Sequence, residues 1–263
     1  MVGSFKLFIR TYVYWVGFIL GFAIFPGYLL FATGLTLVNP SLWLAPLAGL
    51  LLLVIDRPSA WETPQWRSWL IRVLGAGFAT AVLVAYVSVS ARYGSRHWFE
   101  TSLSLGLGWV VFAVVSGHML KGRSARLDVP ARMGRDALRA YAAWGGIAFG
   151  IFYIPATGLS AAGTLWMILP LLGTFFVGIV LLAADPPRRW PQPRFVSLWI
   201  RLLASGAAAF LFTVTSSVYC DARTHEVYIG DWQENLVFCM GAWGLYAAMA
   251  TIVSLMRNVS QKP

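Results

Sequence analysis

Eight stretches of this chain are each about long and apolar enough to cross a lipid bilayer. They run at about 12–34, 38–55, 69–91, 101–120, 139–157, 163–184, 195–219 and 235–256, near the roughly 20 residues a spanning helix needs. In lipid the backbone has no water to bond, so only helices and closed barrels can span. A barrel would show short segments of alternating polarity, and the sequence has none. The expected fold is therefore all-α: a polytopic membrane helix bundle of about eight transmembrane helices. Composition agrees, with 11% of residues charged and 59% hydrophobic, against roughly a quarter charged in a soluble domain. The first stretch follows Lys6 and Arg10 but is too long for the apolar core of a signal peptide, so it reads as a retained helix.

The charges orient these spans. With both termini in the cytoplasm, seventeen of the twenty Lys and Arg residues fall on the inner side, leaving Arg92, Arg96 and Arg223 outside. The ten acidic residues divide evenly, as expected where Lys/Arg bias, and not net charge, sets topology. The pattern points to a bacterial inner membrane with cytoplasmic N and C termini. It also accounts for the pI of about 10.1, so the basicity is an insertion signal and no nucleic-acid module is implied.

Sliding the chain against itself by 129 residues aligns Arg10, Tyr12, Trp15, Gly17, Gly21 and Pro26 with Arg139, Tyr141, Trp144, Gly146, Gly150 and Pro155. Farther on, Asp56, Pro58, Trp61, Pro64, Ser68, Arg72 and Gly77 meet Asp185, Pro187, Trp190, Pro193, Ser197, Arg201 and Gly206. Shared hydrophobicity alone does not align Asp, Arg, Trp and Pro. The chain therefore reads as two tandem four-helix repeats, residues 1–120 and 139–263, joined by a basic cytoplasmic connector at 121–138. An even number of spans per copy makes the repeat parallel. The register fades in the fourth span of each copy.

The repeated residues suggest structural roles first. Gly17 with Gly21, and Gly146 with Gly150, put two small residues on one helix face and allow close helix packing. Pro26 and Pro155 are expected to kink the same helices. Asp56 and Asp185 end the second and sixth spans, where a carboxylate opposes the negative end of the helix dipole. Arg72 and Arg201, sixteen residues later, can answer each in an Asp–Arg clasp. Between clasp members, the Pro/Trp/Pro turns place Trp61 and Trp190 at headgroup level, as possible contacts for a partner. In the connector, Arg132, Arg135 and Arg139 share one helix face suited to anionic headgroups.

The outer loops hold what little chemistry the sequence offers. His97, His225, Glu226 and Asp221, with Asp231, are candidate ligands for a transition metal, though their spacing matches no established motif. Cys220 and Cys239 flank one outer loop and bridge only if their Cα atoms approach within about 7 Å. No P-loop, Gly-x-Ser-x-Gly or Cys-x-x-Cys motif occurs, and no Asp, Glu or Lys lies deep in a span, where ion and proton pathways usually place them. Neither a catalytic residue nor a cofactor is expected. The leading expectation is a non-catalytic membrane subunit that scaffolds or anchors a larger assembly, with membrane or cytoplasmic proteins as partners. The alternative is a transporter or channel for a neutral or weakly polar solute.

Overall fold

The computed structural model describes residues 2–24, 41–56, 65–91, 98–121, 132–154, 168–185, 190, 194–220, 227–229 and 232–259. Among these the chain is almost wholly helical. Its helices are α1 (Val2–Phe18), α2 (Ser41–Ile55), α3 (Gln65–Ala91), α4 (Trp98–Lys121), α5 (Arg132–Gly146), α6 (Ile168–Ala184), α7 (Arg194–Ser217) and α8 (Trp232–Val259). A short antiparallel ribbon pairs β1 (Val218–Cys220) with β2 (Val227–Ile229), with Tyr219 opposite Tyr228. Four helices are long and apolar enough to cross a membrane, through Gln65–Tyr86, Thr101–Leu120, Phe195–Val214 and Cys239–Met256.

The chain divides into two compact units. The first comprises Met1–Val129 with Val218–Gly230, the second Pro130–Ser217 with Asp231–Pro263. In the first, α1 packs on α3, α3 on α4, α4 on α2, and α2 back on α1. In the second, α5 packs on α7, α7 on α8, α8 on α6, and α6 on the segment that extends α5. Each core is aromatic. Trp15 and Phe112 meet at 5.5 Å in the first unit, and Trp144 and Tyr246 at 5.8 Å in the second.

Both opening helices change hydrogen-bond register at their far ends. α1 runs into a π-helix at Ile19–Ile24, and α5 into another at Ile147–Tyr153. In the second, the Ile154 N–H bonds to the Phe149 carbonyl, five residues back. In the sequence, Pro26 and Pro155 follow two residues after the two segments. Pro26 and Pro155, where a kink is expected, themselves lie outside the described residues.

Large apolar side chains remain on the outside of both units. On α3, Leu70, Leu74 and Phe78 are exposed at every fourth position. On α7 the exposed stripe is Phe195, Trp199, Leu203 and Phe210, and on α4 it is Leu103, Leu107, Val110 and Val114. Covering each such side chain is worth about 1.5–3 kcal/mol. Exposed stripes of this size are foreign to a water-soluble surface and are what lipid requires.

Candidate functional site

Among the described residues, charge enters the interior of each unit near the end of its second helix. In the first unit, the Asp56 N–H closes the last turn of α2 on the Leu52 carbonyl at 2.9 Å. The Asp56 carboxylate accepts Arg72 Nε at 2.7 Å on Oδ2 and Arg72 Nη2 at 3.2 Å on Oδ1. It also accepts Arg10 Nη2 at 3.1 Å on both oxygens. Arg72 is buried, with its side chain 5% exposed, while that of Arg10 is 45% exposed. A third contact, Arg72 Nη1 to the Ser68 carbonyl at 3.2 Å, seats the guanidinium against its own helix. Burial pushes the Asp56 carboxyl up. The hydrogen bond from Arg72 and the charges of Arg10 and Arg72 outweigh it and hold the group below the usual carboxylate range.

The second unit builds the same kind of bridge with different surroundings. Arg201 Nε donates to Asp185 Oδ2 at 2.9 Å, and Arg201 Nη1 to the Ser197 carbonyl at 3.3 Å. Asp185 is about half exposed, at 49%. A second carboxylate, Asp136 from α5, lies 3.6 Å from Arg201 Nη2 and is itself buried. The guanidinium also sits 4.8 Å from the ring centre of Trp190, a cation–π distance. Trp190 donates its indole N–H to the Asp185 carbonyl at 3.2 Å and is only 4% exposed. Its ring is a wall of the clasp, and contact with a partner would require the clasp to open. Trp61, the counterpart expected beside it, lies outside the described residues.

Above the clasps, indoles tie the third and fourth helices together. Trp109 donates to the Val73 carbonyl at 2.9 Å, and Trp243 to the Leu202 carbonyl at 3.1 Å. Both rings lie over a glycine. A Cβ at Gly77 would meet Trp109 Nε1 at 3.1 Å, and one at Gly206 would meet the Trp243 ring at 3.0 Å. The acceptors Val73 and Leu202 are 129 residues apart and the indoles 134, so these contacts match at a register five residues longer. Glycine also sets how closely the second and fourth helices approach. A Cβ at Gly49 would meet the Gly108 carbonyl at 3.0 Å, and one at Gly178 would meet Tyr246 Cβ at 2.8 Å.

The other sequence candidates fall as follows. Gly17, Gly21, Gly146 and Gly150 are all buried. His97, Asp221, His225, Glu226 and Asp231 lie outside the described residues, as does Arg132's side chain. Among the described residues no group of three His, Cys, Asp or Glu side chains is placed to hold a metal. Cys239 is a buried free thiol; the side chain of Cys220 lies outside the described residues. Sequence reasoning missed Arg10 and Asp136 as clasp members. The identity of Arg10 with Arg139 was a signal for the first; Asp136 has Leu7 at the matching position and gave none. Comparisons of the chain with family models, curated proteins and solved structures return no match.

Proposed function

We propose that the chain is a non-catalytic, eight-span subunit that scaffolds or anchors a larger assembly in a bacterial inner membrane, its two halves being tandem copies of one four-helix unit with cytoplasmic termini. The observation that supports this reading is the apolar interior of each unit among the described residues. Among the described residues, the buried charged side chains are Arg72, Asp136 and Arg201, all within the clasps. Four buried hydroxyls bond their own helices: Thr11 the Leu7 carbonyl, Thr80 the Ala76 carbonyl, Ser205 the Leu202 carbonyl and Thr213 the Ala209 carbonyl. Such back-bonding satisfies the hydroxyl without lining a path. The tandem copy is supported by matching Arg–Asp, Arg–Ser and Trp–carbonyl contacts in the two units. Broad apolar flanks are what a membrane scaffold presents to its neighbours.

One observation favours the transporter reading instead. π-Helical turns are rare and frequent at functional sites, and broken helices line substrate sites in repeat-built transporters. Here they recur at the same place in both opening helices. Purification in mild detergent with quantitative mass spectrometry separates the two. A scaffold brings a membrane partner in fixed stoichiometry and is silent in solute-flux assays on liposomes. A protein that purifies alone and moves a solute would replace the subunit reading with the transporter.

A further inference from the structure

The ends of α2 and α6 are fastened differently. In the last turn of α2, Leu52, Leu53 and Ile55 are buried, and the side chain of Asp56 is 13% exposed. In the last turn of α6, Leu181 is buried, but Ala183, Ala184 and Asp185 are exposed. Three contacts tie this exposed turn to the unit. The Asp185 carboxylate accepts Arg201 Nε at 2.9 Å, the Asp185 carbonyl accepts the Trp190 indole N–H at 3.2 Å, and the Trp190 ring centre lies 4.8 Å from the Arg201 guanidinium. The end of α6 is thus held largely through Arg201, where the end of α2 is also packed. Arg201 in turn has Asp136, on α5, 3.6 Å from its Nη2. Two carboxylates from two different helices share one buried guanidinium.

We infer that the second clasp is a releasable latch: the end of α6, with Asp185 and Trp190, leaves Arg201 while Asp136 stays and keeps the guanidinium compensated. Breaking a buried ion pair is costly because one charge is left stranded. Here a second carboxylate is already in place, so departure of Asp185 removes one of two anions that compete for the same cation. Asp185 is itself 49% exposed, and a carboxylate that already meets water gives up little on leaving its partner. Asp136 therefore lowers the free energy of opening. Local openings of this kind lie well below the cost of unfolding a whole unit, and elements that move in function are drawn from such regions. Opening bares the Trp190 ring, which is 4% exposed in the closed clasp. The latch does not depend on the subunit reading: it operates equally beside a partner or in a protein that works alone.

Amide hydrogen exchange of the full chain in mild detergent, read residue by residue, tests the latch at the Asp185 N–H, which bonds the Leu181 carbonyl at 2.8 Å. Exchange there reports opening of the end of α6. In wild type this amide is expected to exchange at least about tenfold faster than the Asp56 amide, each taken relative to its unfolded rate. Asp136→Asn is expected to slow Asp185 exchange at least about tenfold, because opening then strands Arg201. Asp136→Leu, the residue type of Leu7 at the matching position, should do the same, and Asp136→Glu should keep the wild-type rate. If Asp136 only stabilised the fold, its loss would speed exchange instead. Unchanged or faster Asp185 exchange in folded Asp136→Asn or Asp136→Leu would overturn the inference. So would equal protection of the Asp56 and Asp185 amides in wild type, a comparison that needs no variant.

Discussion

Asparagine at position 56 should damage the protein far more than asparagine at position 185, although the two aspartates are sequence counterparts. The difference comes from what each arginine keeps. Asp56→Asn removes the carboxylate that accepts from both Nε and Nη2 of Arg72, whose side chain is 5% exposed. Stranding a buried charge by deleting its partner costs about 3–5 kcal/mol. Arg10, with its side chain 45% exposed, can turn to water and adds little. Asp185→Asn leaves Arg201 with Asp136 at 3.6 Å and the face of Trp190 at 4.8 Å. The lost partner is itself half exposed, so about 1 kcal/mol or less is at stake. The gap of at least about 2 kcal/mol is more than tenfold in the folded-to-unfolded ratio. Unfolding in mixed micelles with increasing dodecyl sulfate would measure both variants against wild type. Equal losses, or a larger one at position 185, would refute the idea that Asp136 backs up the second clasp. The acid side of the same experiment adds a check. Asp56 is held below its ordinary range in the folded state. Its contribution is therefore complete above the unfolded carboxyl range and is lost as pH falls through the lowered folded value. Wild type should weaken in that acid window, and Asp56→Asn should lack that component.

Three further outcomes are expected. Gly178→Ala should destabilise by about 1–3 kcal/mol, because its Cβ would lie 2.8 Å from Tyr246 Cβ; Gly244→Ala, with open space around it, should be neutral or gain up to about 1 kcal/mol. The melting temperature should therefore fall for Gly178→Ala and hold or rise for Gly244→Ala. Trp109→Phe should cost about 1 kcal/mol through the lost bond to the Val73 carbonyl, read by the same unfolding assay, and Trp243→Phe should cost at least as much, since its N–H is shared by the Leu202 carbonyl and Ser205 Oγ. In a background lacking Cys220 and Cys239, a cysteine at Ser124 should resist an impermeant thiol reagent in intact cells while cysteines at Ser95 and Thr224 react. Labelling at Ser124 from outside would overturn the proposed orientation.

Much of the fold was legible because lipid imposes a simple code. Length and apolarity mark the helices, and four of them meet the requirement for a span within the described residues. The pairing of Asp56 with Arg72 and of Asp185 with Arg201 was readable because a charge close to an apolar span has few ways to be satisfied. The fourth helices were not readable by an ungapped slide. Trp109 and Trp243 carry the match, but a different length of chain precedes them, so the offset changes from 129 to 134. The position of the Trp190 ring was also misread. Trp near a helix end is usually an interface residue, and nothing in sequence shows that Arg201 is close enough to hold its face. Asp136 escaped for a similar reason: it sits among connector arginines, and only the packing of α5 on α7 brings it to Arg201.

The wide turns at Ile19–Ile24 and Ile147–Tyr153 carry a consequence for the order in which this molecule was assembled. A π turn holds more residues than an α turn of the same height, so it commonly marks a single-residue insertion in an older helix. If the halves descend from one gene segment, an insertion found at the same place in both predates the doubling. The Arg–Asp bridge and the indole on glycine are equally old by this logic. On that reading Asp136, which has Leu7 at its matching position, and the bond from Trp15 to Thr80, where the second half has Ala209, would record later divergence. An ancestral unit would then already have carried the widened helix and the Arg–Asp bridge, with Asp136 a later addition on one side.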